Sequence, residues 1–293
     1  MERIPAATDR LPKLLSHRLR GFGDCENAGA ALRAACGSGV PWLEVDTRVS
    51  ADGVIFLHHD PTISLPADPK ARIAETRWET LGAFRHPDGE PLLSLADALQ
   101  LFAQRGGASQ RFCIDIKDYG FESEHVALVR ELGLENKVCF VSWIPQTIQR
   151  LHELGTSCPL ILSYCSTFDL GPLGPLIDRW LARRTLRMGP LVALGQQSAQ
   201  APLDSLSHGF QHAFFCSQLQ QPLLAAVGAN HGGVCVQRRL VGPHLMRYCN
   251  EQGIQLWTFS VRTKSAFIRE ATRPDVDVVF CDDAPRVLRE MTS

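Results

Sequence analysis

The chain has 293 residues, 45% of them apolar and 21% charged, with a formal net charge of −1. That balance suits a globular protein with a sizeable core and leaves no basic footprint for nucleic acid. No run reaches the ~18 apolar residues of a membrane span, and the opening Met-Glu-Arg-Ile-Pro lacks the apolar core of an export signal, so a cytoplasmic location is expected.

In chain order, residues 1–12 read as an irregular arm and 14–17 as a short strand. Asn27 is placed to cap an alanine-rich helix over 28–36, which Gly37 and Gly39 break. Residues 40–46 form the next strand. Turn chemistry at Asp52-Gly53 leads to an extended run over 54–57, and the Pro- and Asp-rich 61–75 reads as a loop. Thr76-x-x-Glu79 and Ser94-x-x-Asp97 have the form of capping boxes, the second opening a helix over 95–104. Strands then alternate with helices: 111–117, 123–132, 137–142, a helix begun by Pro145, and 159–164. After an irregular 165–230, with a basic helix-like piece over 178–188, the alternation resumes from 233 to 291.

About eight strands alternating with helices predict a single-domain (β/α)8 TIM barrel over 1–293, with a small insertion after the second strand. No G-x-G-x-x-G or P-loop fingerprint follows a strand, which weakens a nucleotide-binding alternative. The ten cysteines form no C-x-x-C pair, and several (Cys113, Cys139, Cys235, Cys281) lie in apolar runs; they read as reduced core thiols rather than disulfides or a zinc site.

Residues two apart on a strand face the same way, so Glu44 pairs with Asp46, and Asp115 with Lys117, late in their strands. Three converging carboxylates repel unless a cation sits among them, and an oxygen-only set suits Mg²⁺ or Ca²⁺. His17 and one of His58 and His59 supply two imidazoles for displacement at phosphorus, which needs a base and an acid; spacing alone does not choose between His58 and His59. Arg18 suits a phosphate clamp, and Lys117 suits developing charge.

The ordered set His17-Arg18, Glu26-Asn27, Glu44-Val-Asp46, Asp52-Gly53, His59-Asp60, Asp115-Ile-Lys117, Trp257-Thr258-Phe-Ser260 and the closing 281–285 resembles the glycerophosphodiester phosphodiesterase family of TIM barrels. The likeness covers 13–155 and 233–290 and is weakest between them. It implies a divalent-metal phosphodiesterase that releases glycerol 3-phosphate and an alcohol from a small diester. Glu44, Asp46 and Asp115 would be metal ligands, and His17 and His59 the acid/base pair, His59 being preferred because the family histidine directly precedes the aspartate. Arg18 and Lys117 would hold the phosphate, Glu26 would support them, and Trp257 would line the pocket, with a core tryptophan as the alternative. Family members are thought to react through a cyclic phosphate formed by the neighbouring glycerol hydroxyl.

Four departures stand out: Leu19 for the glycine after Arg18, Ala28 for a threonine, Ser260 for an asparagine and Asp115 for a glutamate. Residues 177–187, arginines beside apolar positions, read as a helix with a solvated basic face, or as a membrane-surface contact that would favour lipid diesters. A lysophospholipase D or sphingomyelinase D-like enzyme and a non-catalytic phosphate-binding barrel are the competing readings.

Overall fold

The computed structural model describes residues 13–181, 184–189, 191–195 and 209–292. Strand β1 (Lys13–Ser16) leads through helix α1 (Gly29–Ala35) into β2 (Trp42–Val49). The chain then leaves the main sheet: β3 (Ile55–Leu57) runs antiparallel to β2, β4 (Thr62–Ile63) pairs with β5 (Ala71–Arg72), and the short α2 (Trp78–Leu81) precedes α3 (Leu95–Arg105). Two β/α units follow, β6 (Arg111–Ile116) with α4 (Glu122–Glu131) and β7 (Val138–Ser142) with α5 (Pro145–Glu153).

After β8 (Leu160–Ser166) comes a second excursion, made of α6 (Leu173–Leu181), β9 (Thr185–Met188), β10 (Leu191–Gly195) and β11 (Gln211–Cys216). Helix α7 (Leu223–Gly228), β12 (Gly233–Gln237), α8 (Pro243–Gln252) and β13 (Gln255–Val261) come next. Helix α9 (Lys264–Ala271), β14 (Val278–Cys281) and α10 (Ala284–Thr292) complete the order.

Strands β1, β2, β6, β7, β8, β12, β13 and β14 pair in parallel, β8 with β12 and β14 with β1, so the sheet closes on itself. This is the expected TIM barrel, with β3–β5 as the insertion after the second strand. The second excursion is attached where β11 bonds the C-terminal end of β8, Cys165 and Ser166 facing Phe215 and Cys216.

The period of two along each strand explains where the chemistry sits. Leu43, Val45, Phe112 and Ile114 point outward and pack under the helices. Their neighbours Leu15, Trp42, Cys113, Cys139, Val141, Ile161, Trp257, Val278 and Phe280 point inward and fill the barrel. Continuing each inward row toward its C-terminal end gives His17 after Leu15, Glu44 and Asp46 after Trp42, and Asp115 after Cys113. Likewise Trp143 follows Val141 and Asp282 follows Phe280. Every row therefore changes from an apolar floor to polar or aromatic side chains at the mouth, the face on which TIM barrels carry their sites.

Several local expectations give way to tertiary contacts. Asn27 caps nothing: Ala28 is the N-cap of α1, and the Asn27 side chain turns to Asp46. Thr76 is no N-cap either, because its hydroxyl donates to the Arg72 carbonyl, whereas Ser94 does accept from the Asp97 amide. The 61–75 loop holds the β4–β5 hairpin. The basic piece over 178–188 is two elements: α6 ends at Leu181, and Thr185–Met188 pairs antiparallel with β10.

Candidate active site

Register brings the carboxylates together. Asp46 on β2 and Asp115 on β6 are direct cross-strand partners, and Glu44 stands two residues earlier on β2. One oxygen from each of the three lies within 4.8 Å of the others, with all three side chains buried. The Lys117 ammonium sits 2.5 Å from Asp115 Oδ2 and 2.8 Å from Asp46 Oδ1. The Arg18 guanidinium approaches Asp46 Oδ2 at 3.3 Å, and the Arg18 backbone amide donates to Glu44 Oε2 at 2.7 Å. Asn27 holds Asp46 from the remaining side, its Nδ2 donating to Asp46 Oδ2 at 2.9 Å while its Oδ1 accepts from the Asp46 amide at 3.0 Å.

Even so, Glu44 Oε1 and Asp115 Oδ1 are buried without a hydrogen-bond donor. Burial, reinforced by Asp46 and Asp115, pushes the Glu44 carboxyl well above its ordinary value, and burial also raises Asp115. Burial disfavours ionised Asp46 too, but Lys117, His59 and Arg18 outweigh it and hold Asp46 well below the usual carboxylate range. Burial opposes the charge on Lys117 in turn, and the carboxylates Asp115, Asp46 and Glu44 more than restore it. Three carboxylates against two cations, with two oxygens lacking donors, form a set that fits a further hard cation bound through oxygen.

Both imidazoles are oriented by carboxylates. His17 Nδ1 lies 2.6 Å from Asp282 Oδ1, and His59 Nδ1 lies 2.7 Å from Asp60 Oδ1. Each contact engages Nδ1. That leaves the Nε2 of His17 for chemistry, whereas the Nε2 of His59 meets the Gln211 side-chain amide at 3.1 Å, a contact that substrate would have to displace, with tautomers inferred from the partners. Burial favours protonated Asp282, yet hydrogen bonds from His17 and Arg262 keep it well below the usual range. His59 is lowered to about 4, by burial first and then by Lys117. His58 instead faces the insertion, where its Nε2 meets the Thr62 carbonyl and its ring stands against Phe56 and Phe84. A cavity of about 260 Å³ opens beside His59, lined by Glu26, Asn27, Asp60, Phe84 and His86 among others.

Other expected site residues divide. Glu26 bridges Arg18 at 3.3 Å and Arg20 at 2.6 Å, which places it behind the Arg18 guanidinium. Trp257 is only 1% exposed and packs edge-on against Trp42 inside the barrel, the place the core alternative would give it. Half-buried Trp143 and Phe259, 5.6 Å apart, hold the corresponding place at the mouth.

Sequence reasoning missed Asp282, Asn27 and Arg48. Asp282 and Asn27 were visible as members of the closing and Glu-Asn motifs, but not as anchors. Arg48 gave no signal. It is fully buried, paired with Asp118 at 2.8 Å, and bonds the His59 carbonyl, the Phe210 carbonyl and Gln211 Oε1; Gln211 Nε2 in turn lies 3.1 Å from His59 Nε2.

The departure at Leu19 has a measurable consequence. Leu19 has φ +59°, the left-handed region where glycine is at ease, yet its side chain is fully buried in the core. Losing a buried leucine costs about 2–5 kcal/mol, against about 1–2 kcal/mol of backbone strain relieved. Burial wins. Leu19→Gly is expected to lower stability by about 1–3 kcal/mol in urea unfolding, and a glycine variant more stable than wild type would contradict this packing.

A TIM barrel whose mouth gathers a buried carboxylate cluster and two carboxylate-anchored imidazoles carries these groups on the face where barrel enzymes build their sites. Residues 7–285 match the sequence profile of the glycerophosphoryl diester phosphodiesterase family, and the chain belongs to that family. No curated protein matches it in sequence.

Solved structures share the fold. A phosphodiesterase from Oleispira antarctica, in complex with the product sn-glycerol-3-phosphate, superposes with a TM-score of 0.65 at 16% identity, covering 98% of this chain and 99% of that one. A glycerophosphodiester phosphodiesterase from Parabacteroides distasonis gives 0.60 at 14% identity, covering 97% and 99%. One from Agrobacterium tumefaciens gives 0.59 at 17%, covering 95% and 99%.

Proposed function

We propose that this enzyme hydrolyses small glycerophosphodiesters to glycerol 3-phosphate and an alcohol, with Glu44, Asp46 and Asp115 as ligands for Mg²⁺ or Ca²⁺. The observation that carries the reading is the buried triad, two of whose oxygens lack donors, in a barrel of this family with an oriented imidazole contributed beside it by each of two loops. The product bound by the Oleispira relative supports the same substrate class.

In this account Arg18 and Lys117 neutralise the phosphoryl group, and Glu26 holds Arg18. One imidazole Nε2 takes the proton of the glycerol hydroxyl beside the phosphate as that oxygen bonds phosphorus. The other, protonated, gives its proton to the alcohol oxygen as the second P–O bond breaks. The two then exchange roles while water opens the cyclic phosphate. A bound divalent ion would add Lewis-acid stabilisation of the phosphoryl oxygens. The cavity beside His59 receives the leaving alcohol, and the ten free thiols accord with the reducing cytoplasm.

Glycerophosphocholine turnover by metal-stripped protein, followed before and after adding Mg²⁺ or Ca²⁺, tests the proposal. Equal amounts of glycerol 3-phosphate and choline, appearing only with the ion, are expected. Absence of turnover on glycerophosphodiesters with either ion would overturn it.

A further inference from the structure

We propose that the excursion between β8 and β12 docks the protein on an anionic phospholipid bilayer through α6 and β9. Among the described residues, five large apolar side chains are exposed, and four stand within this short stretch: Leu173 (62%), Leu176 (53%), Trp180 (54%) and Met188 (61%). At 100° per residue, Leu173, Leu176 and Trp180 share about 60° of the circumference of α6.

The opposite side of that helix is fixed to the body. Asp178 accepts from the Thr167 hydroxyl at 2.5 Å and from the Ser217 amide at 3.1 Å, at the ends of β8 and β11. The apolar face is therefore held outward by a polar anchor.

The charges around that face point to the partner. From Leu173 to Met188 the sequence carries four arginines and one aspartate, a local +3 on a chain of net −1. Arg179, Arg184 and Arg187 are exposed. The Arg184 guanidinium lies 5.1 Å from the Trp180 ring centroid, and that of Arg187 lies 5.3 Å from the Phe210 ring. Leucine, tryptophan and methionine inserted among acyl chains, with arginines at headgroup depth, match an anionic lipid surface.

The same excursion reaches the catalytic mouth, because β11 supplies Gln211 to His59. Docking would thus bring the site to diesters carried in the bilayer, such as lysophospholipids. That consequence rests on the proposed hydrolysis, whereas the docking does not.

The test is cosedimentation of the full chain with phosphatidylcholine vesicles, with and without phosphatidylglycerol. Binding to the anionic vesicles alone, weakened by salt, is expected. L173D/L176D should reduce it about tenfold or more while leaving turnover of glycerophosphocholine unchanged. Wild-type protein that stays in solution with anionic vesicles at low salt, or a double variant that binds as well as wild type, would overturn the proposal. A wild-type dimer that the double variant dissociates would assign the face to a second copy and overturn it equally. If no diester is turned over but vesicles are still bound, the hydrolytic reading fails and the docking stands.

Discussion

Replacing His17 or His59 by alanine is expected to lower kcat by about 10²–10⁴-fold each, the range for removing a general acid or base. The effects should be far from multiplicative in the double variant, because both groups act in the same proton transfers. His58→Ala is the comparison: that ring packs near Phe56 and Phe84 and also lines the cavity beside His59, so its loss should cost far less in kcat than the loss of His17 or His59.

The anchors rank as well. The Asp282 side chain is 8% exposed and that of Asp60 is 69% exposed, so water competes far more for the second contact. Asp282→Asn should therefore cost more activity than Asp60→Asn. Steady-state kinetics on one water-soluble diester decide all of these cases, and full activity in His17→Ala or His59→Ala would remove the acid/base assignment.

Arg48→Met is expected to destabilise the protein by about 3–5 kcal/mol, because it takes the buried guanidinium away from the Asp118 carboxylate, which the Val49 amide also holds. Replacing both residues, as Arg48→Met with Asp118→Leu, should recover much of that loss, since the cost lies in the buried negative charge no longer offset by the guanidinium rather than in the missing attraction. Activity should recover less than stability. Arg48 also bonds the His59 carbonyl and Gln211, and no apolar side chain replaces those contacts. Urea midpoints of the two variants, compared with kcat, separate the roles. A single variant within about 1 kcal/mol of wild type would show that Asp118 finds other compensation.

What could be read from the sequence was what period and order encode. The strands carrying Glu44, Asp46 and Asp115 have an inward series two residues apart, so a strand assignment alone places these groups on one side. The parallel pairing of β2 with β6 then makes Asp46 and Asp115 neighbours, which the order of motifs anticipates but spacing within one strand does not.

The unread parts are contacts between distant positions. Asp282 meets His17 across 265 residues and Asn27 meets Asp46 across 19, and neither pairing is marked by local pattern. Asn27 shows the competition directly: its cap propensity is real, but a buried carboxylate offers a stronger partner than a helix end. Trp257 reads from the sequence as a pocket wall with a core tryptophan as the alternative, because an inward position near the middle of a strand lies on the boundary between them. The stretch over 178–188 reads as helical from composition, but its second half is stitched to β10, a pairing that sequence spacing does not reveal.

The central claim is that Glu44, Asp46 and Asp115 jointly hold a hard divalent cation. A crystal soaked in Mn²⁺, as a visible substitute for Mg²⁺, tests it through an anomalous difference map. One strong peak within bonding distance of all three carboxylates, lost in Asp46→Asn, is expected. No peak there, with Lys117 still bridging Asp46 and Asp115, would contradict it.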